Sequence, residues 1–416
     1  MGRQDRYRQW LFLLGVVVSI IGMLTSRGLM SIGMIILVAN AVLDTQLPKH
    51  LKRLVQQPTF LALTGVFLVY AISGLWSDNT DYLIHKLRIK LPFLLLPLAF
   101  VAAPPMSRKV YQGLLAFFLL LITGTSIGVL VNFGLHYQEI VEQYLHAKTI
   151  PTPFNHIRYS LMCVLAIGFG YYLYREKVSL RWSWERYLYG GSALFLFAFL
   201  HVLSVRSGLA ALYVVIGYFV VRFIWLSGQW KRGVAVLAGL VLLPVLAYLF
   251  VPTFHNKMTY MARDMRVFLS GDDISEFSDS RRFTSMQGAL QVGAQQPMIG
   301  VGIGDLKDEM SEWYTENVPS LSAKEQLLPH SQLLFVFAAT GVLGLLVFGF
   351  CLIYPVVYQK SYWHLPFGTV AVALWVSFLV EATIEIQLGT SLFLTFWLLT
   401  QKATQLDGLR ESVTAS

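Results

Sequence analysis

The sequence predicts an all-helical, polytopic membrane protein with about twelve transmembrane helices and one long loop on the outer side. Of its 416 residues, 56% are hydrophobic and only 13% are charged, whereas soluble domains carry about 25% charged residues. A transmembrane helix needs about 20 mostly apolar residues, and the chain contains a series of such segments. This composition excludes an ordinary soluble enzyme, a disordered protein and a disulfide-rich secreted domain.

The predicted spans are apolar segments separated by polar breaks. Residues 25–28 form so short a break that the first two spans must make a helical hairpin. The fourth span is short and contains Pro92 and Pro97, so we expect it to be tilted, broken or re-entrant. The spans are predicted at residues 10–25, 28–43, 59–76, 91–103, 110–132, 157–174, 187–204, 207–226, 233–251, 331–358, 364–380 and 388–401.

The distribution of Lys and Arg predicts that both termini are cytoplasmic. With a cytoplasmic N-terminus, the cytoplasmic side holds 18 basic and six acidic residues, and the opposite side holds 14 basic and 17 acidic residues. This is the positive-inside pattern. Topology therefore explains the net charge of +9, and we expect no nucleic-acid partner. The predicted parts are transmembrane helices 1–9 (1–251), the long periplasmic loop (252–330), transmembrane helices 10–12 (331–401) and a cytoplasmic tail (402–416).

The long loop 252–330 is the first place to look for function, because loops of this length are commonly functional. Apolar residues spaced by three and four from Phe283 to Val292 predict an amphipathic helix. After Pro297 comes Gly300-Val301-Gly302-Ile303-Gly304, which predicts a flexible turn. No Gly-Lys-Ser/Thr follows it, so the turn is not a phosphate-binding P-loop.

Several basic residues lie at the outer ends of predicted spans or in the loop, where the positive-inside rule depletes them. They are Lys86, Arg88, Lys90, Arg158, Arg206, Arg281 and Arg282. One interpretation is that they reach lipid phosphates or pair with acidic residues; the candidate acidic partners are Asp78, Asp81, Glu381 and Glu385. We favour this interpretation for Lys86, Arg88 and Lys90.

The other interpretation is a clamp for a diphosphate, which guanidinium groups from separate segments would hold through their fixed donors. Arg206 favours it, because this residue lies in a very short connection between two spans. The alternative for a diphosphate is a metal site, for which the candidate ligands are the pair Asp272-Asp273 in a Gly/Ser-rich stretch. That stretch is more typical of a solvated loop.

Two histidines are candidate general bases, since imidazole changes protonation near neutral pH. His330 stands where the long loop re-enters the membrane, and His156 precedes Arg158 by two residues. A helix-capping or interfacial role is the alternative for both.

The order of these pieces resembles the signature of the O-antigen ligase and O-antigen polymerase superfamily. That signature has an arginine, an Ala-Leu helix, a Pro-x-x-Gly-x-Gly turn, a His-Asn-x-Leu stretch and Gly-x-x-Gly-Leu, with a Ser-Arg-Gly motif ahead of an earlier span. The matching residues are Arg282, Ala289-Leu290, Pro297, Gly300-x-Gly302-x-Gly304, His330-Ser331-x-Leu333, Gly341-x-x-Gly344-Leu345 and Ser204-Val205-Arg206-Ser207-Gly208.

The resemblance implies a twelve-span, GT-C-type enzyme of the bacterial inner membrane. Such an enzyme takes a glycan from undecaprenyl diphosphate on the periplasmic face, with no cofactor and no metal. By position, Arg206 and Arg282 match the family's diphosphate-binding arginines, and His330 matches its essential histidine. Arg281, Arg158 and His156 are further candidates at the same mouth. The expected reaction is a single, inverting displacement with His330 as general base.

The acceptor is left open by the resemblance. Ligases pass the glycan to lipid A–core, polymerases to another carrier-linked repeat, and relatives to protein hydroxyls; we favour the ligase. The chain also departs from the signature, with Ser331 in place of Asn and Met286 in place of Trp. The register of Arg281 and Arg282 is uncertain, although the seven residues to Ala289 favour Arg282. A transporter or flippase that couples protons through Glu381 and Glu385 is the rival from another class.

Overall fold

A computed structural model describes residues 3–145, 150–250, 252–270, 274–275 and 277–414. Within these ranges the chain forms helices and no strand. The helices are α1 (Arg3–Thr25), α2 (Arg27–Val42), α3 (Leu47–Gln56), α4 (Pro58–Ser73), α5 (Thr80–Ala102), α6 (Arg108–Leu135), α7 (Tyr137–Leu145), α8 (His156–Arg175), α9 (Glu185–Leu203), α10 (Arg206–Ser227), α11 (Trp230–Phe250), α12 (Pro252–Ser270), α13 (Ser278–Gln295), α14 (Leu306–Asn317), α15 (Gln332–Val357), α16 (Leu365–Val380) and α17 (Gln387–Thr414). Short 3₁₀ turns follow α4, α15 and α16.

Each of the twelve predicted spans falls on a helix. Seven helices of the described chain are long and apolar enough to cross a membrane, and eight do so if the bent pair α2–α3 counts as one span. The polytopic, all-helical class is therefore observed, whereas the count of twelve stays a prediction.

The first two helices form the predicted hairpin. Ser26 caps α2 by accepting a hydrogen bond from the Gly28 amide at 3.1 Å. Glycine allows the two helices to touch, because a Cβ on Gly33 would lie 2.4 Å from the Ser19 amide nitrogen. The hairpin is thus fixed by close backbone packing.

The fourth predicted span begins too late at residue 91. Helix α5 starts at Thr80 and runs unbroken through Pro92 and Pro97, so the expected break or re-entrant turn is absent from this described helix. Lys86 and Lys90 interrupt the apolar pattern of α5, yet both side chains are buried within the helical bundle. Their charges are neutralised by Glu385, which is far away in the sequence. The spacing of nearby residues therefore does not reveal the pairing.

The long loop folds into α12, α13 and α14, and α13 confirms the predicted helix. The expectation of a flexible turn after Pro297 is wrong, because residues 300–304 are buried. The amides of Val301 and Gly302 donate to the carbonyls of Ala338 and Ala339 at 3.0 and 2.9 Å. The turn therefore docks onto α15 and fixes the loop to the bundle.

Glycine is required on both sides of this contact. Helix α15 breaks at Gly341, where φ is +62°, and Gly300 has φ +71°. A Cβ on Gly300 would lie 2.4 Å from the Thr340 amide nitrogen, and one on Gly341 would lie 2.3 Å from the Met298 carbonyl carbon. The two glycine motifs are complementary halves of one interface.

The two ends of the bundle hold separate sets of polar contacts. At one end Arg8 pairs with Asp44 at 2.5 Å, and Lys402 donates to the carbonyl of Phe100 at 2.7 Å. At the other end Asp305 accepts hydrogen bonds from the backbone amides of Asp78 and Asn79. The charge distribution assigns the residues of the first set to the cytoplasmic side and those of the second set to the outer side.

Candidate functional site

The outer ends of α8 and α10 are in direct contact. A Cβ on Gly208 would lie 2.4 Å from both Cβ and Oγ of Ser160, so glycine lets the two helices touch there. Arg206 is the first residue of α10 and Arg158 is the third of α8. Both residues precede the contact by two positions, so the two arginines lie at one mouth of the bundle.

Arg206 is held by an acidic residue of the long loop. Its Nη2 donates to Oδ1 of Asp279 at 2.5 Å, and its Nη1 donates to the other carboxylate oxygen. A guanidinium has five N–H donors, so this two-pronged pair leaves three available for another anion.

Helix α13 is anchored by the buried carboxylate of Asp264 on α12. It accepts hydrogen bonds from the amides of Asp279 and Ser280 at 2.8 and 2.9 Å, and from the Ser280 hydroxyl. These are first-turn amides of α13, whose N-terminus carries partial positive charge and favours a carboxylate. Asp264 therefore fixes the helix that carries Asp279 and Arg282.

One face of α13 connects Arg206 to His330. Asp279, Arg282 and Ser285 follow each other at intervals of three residues, so they share a face over roughly 9 Å of helix axis. The Oγ of Ser285 accepts a hydrogen bond from the His330 amide at 3.2 Å. Arg282 thus stands between the Arg206 pair and the histidine.

Glu381, directly after α16, joins an arginine to the histidine. Its Oε1 lies 3.3 Å from Nη1 of Arg158 and 3.5 Å from Nδ1 of His330. Arg282 is close enough for its charge to act on both Arg158 and Glu381. Burial raises the pKa of the Glu381 carboxyl, but His330, Arg158 and Arg282 outweigh it and hold that pKa below its usual value.

This cluster is incompletely paired. Among the described residues, Oε2 of Glu381, Nε of Arg158 and Nδ1 of His330 are buried without a hydrogen-bond partner; Nδ1 approaches Glu381 only at ion-pair distance. Buried polar atoms are normally satisfied. The side chain of His330 remains 19% exposed. The cluster can therefore form further hydrogen bonds and can be reached by a ligand.

The doubled arginine separates into two environments. Arg282 acts electrostatically on Glu381 and Arg158, whereas Arg281 acts on Tyr260 of α12 and Tyr314 of α14. Arg206 also acts on Tyr260, so this geometry favours Arg282 only as the member of the pair beside Glu381 and His330. His156 is half-buried as the first residue of α8, and its role stays a prediction.

A second, deeper cluster surrounds Glu385. Its carboxylate lies 3.0 Å from Nζ of Lys86 and 2.8 Å from Nζ of Lys90. It also accepts hydrogen bonds from Tyr70 at 2.5 Å and from Gln332 at 2.7 Å. Ion pairing is thus confirmed for the two lysines, whereas Arg88 is exposed on another face of α5.

These clusters contain residues that were not predicted as site residues of a transferase, among them Tyr70, Asp264, Asp279, Gln332, Glu381 and Glu385. Only Glu381 and Glu385 carried a signal, as acidic residues between two apolar segments. The histidine motif also has a structural component, because Ser331 donates to the Phe378 carbonyl at 3.1 Å and so ties α15 to α16.

No cluster among the described residues supports the alternative of a metal site. Across the described ranges, no group of three or more His, Cys, Asp or Glu could hold a metal ion. The candidate pair Asp272-Asp273 lies outside the described residues, so the expectation of metal-free chemistry stays a prediction.

The structure therefore defines an all-helical, multi-pass membrane protein with a basic site where a long loop meets the bundle. Residues 191–349 match the O-antigen ligase family model. This match confirms the resemblance to the O-antigen ligase and polymerase superfamily, over less than half of the chain. Members of this family are glycosyltransferase-like enzymes that act on lipid-linked glycans. No curated protein matches the chain.

The matched region runs from α9 into α15. It contains Arg206, Arg282 and His330, whereas Arg158 and Glu381 lie outside it. Arg282 and His330 are thus brought together with two side chains that the family model does not reach, and Arg206 is joined to the same helix, α13, through Asp279.

Proposed function

We propose that this chain is an O-antigen ligase of the bacterial inner membrane. It would transfer O-antigen polysaccharide from undecaprenyl diphosphate to lipid A–core on the periplasmic face, with both termini in the cytoplasm. The observation that carries the proposal is the convergence of Arg158, Arg282, His330 and Glu381 at the outer mouth. Arg206 joins the same face of α13 through Asp279.

The diphosphate is the leaving group of this reaction. As the bond between the anomeric carbon and the diphosphate oxygen breaks, the bonding electron pair and the negative charge pass to the diphosphate. Arg206 and Arg282 would stabilise that charge, because preorganised donors act most strongly where charge develops. Asp279 holds Arg206 through one edge of its guanidinium and so positions the remaining donors.

The acceptor hydroxyl forms the new bond to the anomeric carbon and gives up its proton. His330 would take that proton through Nε2, since Nδ1 faces Glu381. A carboxylate on one ring nitrogen fixes the orientation and tautomer of an imidazole whose other nitrogen works as the base. Attack opposite the leaving group inverts the anomeric centre.

The rival reading as a proton-coupled transporter rests on Glu381 and Glu385. Burial raises the pKa of Glu385, but Lys90 and Lys86 outweigh it and lower the pKa to about 2. The pKa of Glu381 is also lowered. Two carboxylates that stay ionised near neutral pH are poorly suited to exchanging protons, which counts against coupling through this pair.

The acceptor distinguishes the ligase from its relatives, an O-antigen polymerase and a protein O-oligosaccharyltransferase. Lipopolysaccharide from a deletion strain tests it. Core without O-chain is expected for the ligase, core bearing one repeat would instead identify a polymerase, and unchanged lipopolysaccharide would contradict both.

Metal independence is tested with the purified protein. Transfer from the carrier-linked glycan should persist in the presence of a chelator. Loss of transfer that a divalent cation restores would overturn the metal-free mechanism.

A further inference from the structure

A second basic site lies at the end of the bundle opposite the outer mouth. Arg175 closes α8, and Arg222 lies near the end of α10. The two arginines, with Tyr171, Tyr174 and Phe219, line a pocket of about 280 Å³. The charge distribution assigns this end of the bundle to the cytoplasm.

The charges in this pocket are poorly balanced. Arg175 and Arg222 are close enough to repel each other, and Arg175 forms no ion pair with any residue that the structure describes. The nearby Glu176 pairs with Arg108 at 3.1 Å. Nε of Arg222 donates to the Trp363 carbonyl at 2.8 Å, which holds that guanidinium in place. An anion between the two arginines would remove their repulsion and accept charge-assisted hydrogen bonds.

An apolar groove continues from the basic pocket. It has a volume of about 470 Å³ and shares Tyr171, Phe219 and Phe223 with the pocket. Helices α8, α9, α10 and α11 form its walls, and Leu194 and Val236 are 70% and 50% exposed along it. The groove therefore opens on the apolar surface of the bundle, which faces lipid chains in a membrane.

The pocket and the groove together have a length close to that of one leaflet. From Arg175 back to Ile167 in the groove is eight residues of α8, or roughly 12 Å of helix axis. Half of a bilayer core measures about 15 Å. A phosphate at the arginines would thus place an acyl chain in the groove.

We propose that this pocket and groove bind an anionic glycerophospholipid of the cytoplasmic leaflet. The phosphate lies between Arg175 and Arg222, and one acyl chain lies between α8 and α11. Basic pockets between transmembrane helices on the cytoplasmic side commonly bind such headgroups. The site is separate from the transfer site and does not depend on the proposed function.

The lipid would connect helices that carry site residues at their other ends. Helix α8 carries Arg158 and helix α10 carries Arg206. A ligand that contacts both helices stabilises their packing, because binding to the folded state alone raises its stability. The expected consequence is a higher unfolding temperature in anionic lipid.

The test is a lipid titration of the delipidated, full-length protein by native mass spectrometry. We expect dioleoyl phosphatidylglycerol to bind at least about tenfold more tightly than dioleoyl phosphatidylcholine, since the choline ammonium cancels the phosphate charge and adds a cation beside the two arginines. The double variant Arg175→Gln/Arg222→Gln should lose about that factor. Val236→Phe, which fills the groove without changing charge, should also weaken phosphatidylglycerol binding.

The matched control is Arg181→Gln/Arg186→Gln, which removes one exposed and one half-buried arginine from the same side of the protein. It should bind phosphatidylglycerol like the wild type. Equal affinity for the two lipids would overturn the proposal, as would equal losses in the two double variants. A third result would also overturn it: inorganic phosphate alone displaces the lipid, and Val236→Phe binds the lipid like the wild type. The groove would then contribute nothing to binding. If the double arginine variant fails to fold, Arg175→Gln and Val236→Phe decide the outcome.

Discussion

Glu381 and Glu385 lie four residues apart on one short connection, yet their carboxylates have opposite surroundings. Both oxygens of Glu385 are engaged, by Lys86 on one side and by Lys90, Tyr70 and Gln332 on the other. One oxygen of Glu381 is shared by Arg158 and His330, and the other has no partner among the described residues.

The difference in pairing predicts different roles for the two carboxylates. A buried carboxylate that is fully paired holds segments together and has no capacity for a ligand. A buried carboxylate that is half paired, beside an accessible imidazole, is typical of a site that is completed by a substrate. We therefore predict that Glu385 stabilises the fold and that Glu381 takes part in the chemistry.

The largest expected effect is on stability, from Glu385→Gln. The substitution leaves Lys86 and Lys90 buried without a counter-charge, which costs about 3–5 kcal/mol. We expect a large fall in the yield of folded protein and in its unfolding temperature, measured by size exclusion and thermal scanning in detergent. A variant as stable as the wild type would show that the deep cluster is not structural.

Glu381→Gln should reduce transfer activity more than it reduces stability. The loss of stability should be smaller than for Glu385→Gln, because one buried cation, Arg158, loses its counter-charge instead of two. Transfer should fall by about 10–100-fold, as for other residues that orient a working side chain. The measurement is kcat beside the unfolding temperature, with Glu312→Gln as an exposed control on α14. Unchanged kcat would remove Glu381 from the mechanism.

Asp279→Asn is expected to have a smaller effect. Asparagine keeps the shape but weakens the hold on Arg206, so we expect kcat to fall by about threefold to tenfold while KM for the lipid-linked donor changes less, because Arg206 acts on charge that develops in the transition state. Steady-state kinetics at several donor concentrations provide the measurement. A rise in KM with unchanged kcat would contradict this role of Arg206.

The smallest effect concerns pH. Both carboxyls have folded pKa values below the ordinary 4.5, and that of Glu385 is about 2. Their stabilisation is therefore complete above about pH 4.5 and is lost as the pH falls through the folded values. The unfolding temperature should stay flat from pH 7 to 5 and then decline, more steeply in the wild type than in Glu381→Gln. A steeper decline in the variant would contradict the sign of the shift.

The fold was largely readable from the sequence, because apolar length directly indicates a helix that is surrounded by lipid or protein. The start of α5 was not, since Lys86 and Lys90 break the pattern and Glu385 lies far away in the chain. The rigid turn after Pro297 was missed for a similar reason. Its glycines fit against Gly341 in α15, which only the folded chain brings near.

The candidate site was readable where a motif exists. Arg206, Arg282 and His330 follow from their order along the chain. Glu381, Asp279 and Asp264 act through ion pairs and hydrogen bonds between distant segments, which leave no local spacing to detect. The choice between Arg281 and Arg282 also needed the helix, because adjacent residues face different neighbours.

The most direct test is transfer of a labelled glycan from undecaprenyl diphosphate to lipid A–core by purified variants. Arg282→Ala and His330→Ala should each reduce transfer by about 100-fold or more, whereas Arg281→Ala should stay within about threefold of the wild type, since its side chain faces α12 and α14. Near-wild-type turnover by His330→Ala, or a larger loss in Arg281→Ala than in Arg282→Ala, would contradict the assignment of the outer mouth as the transfer site.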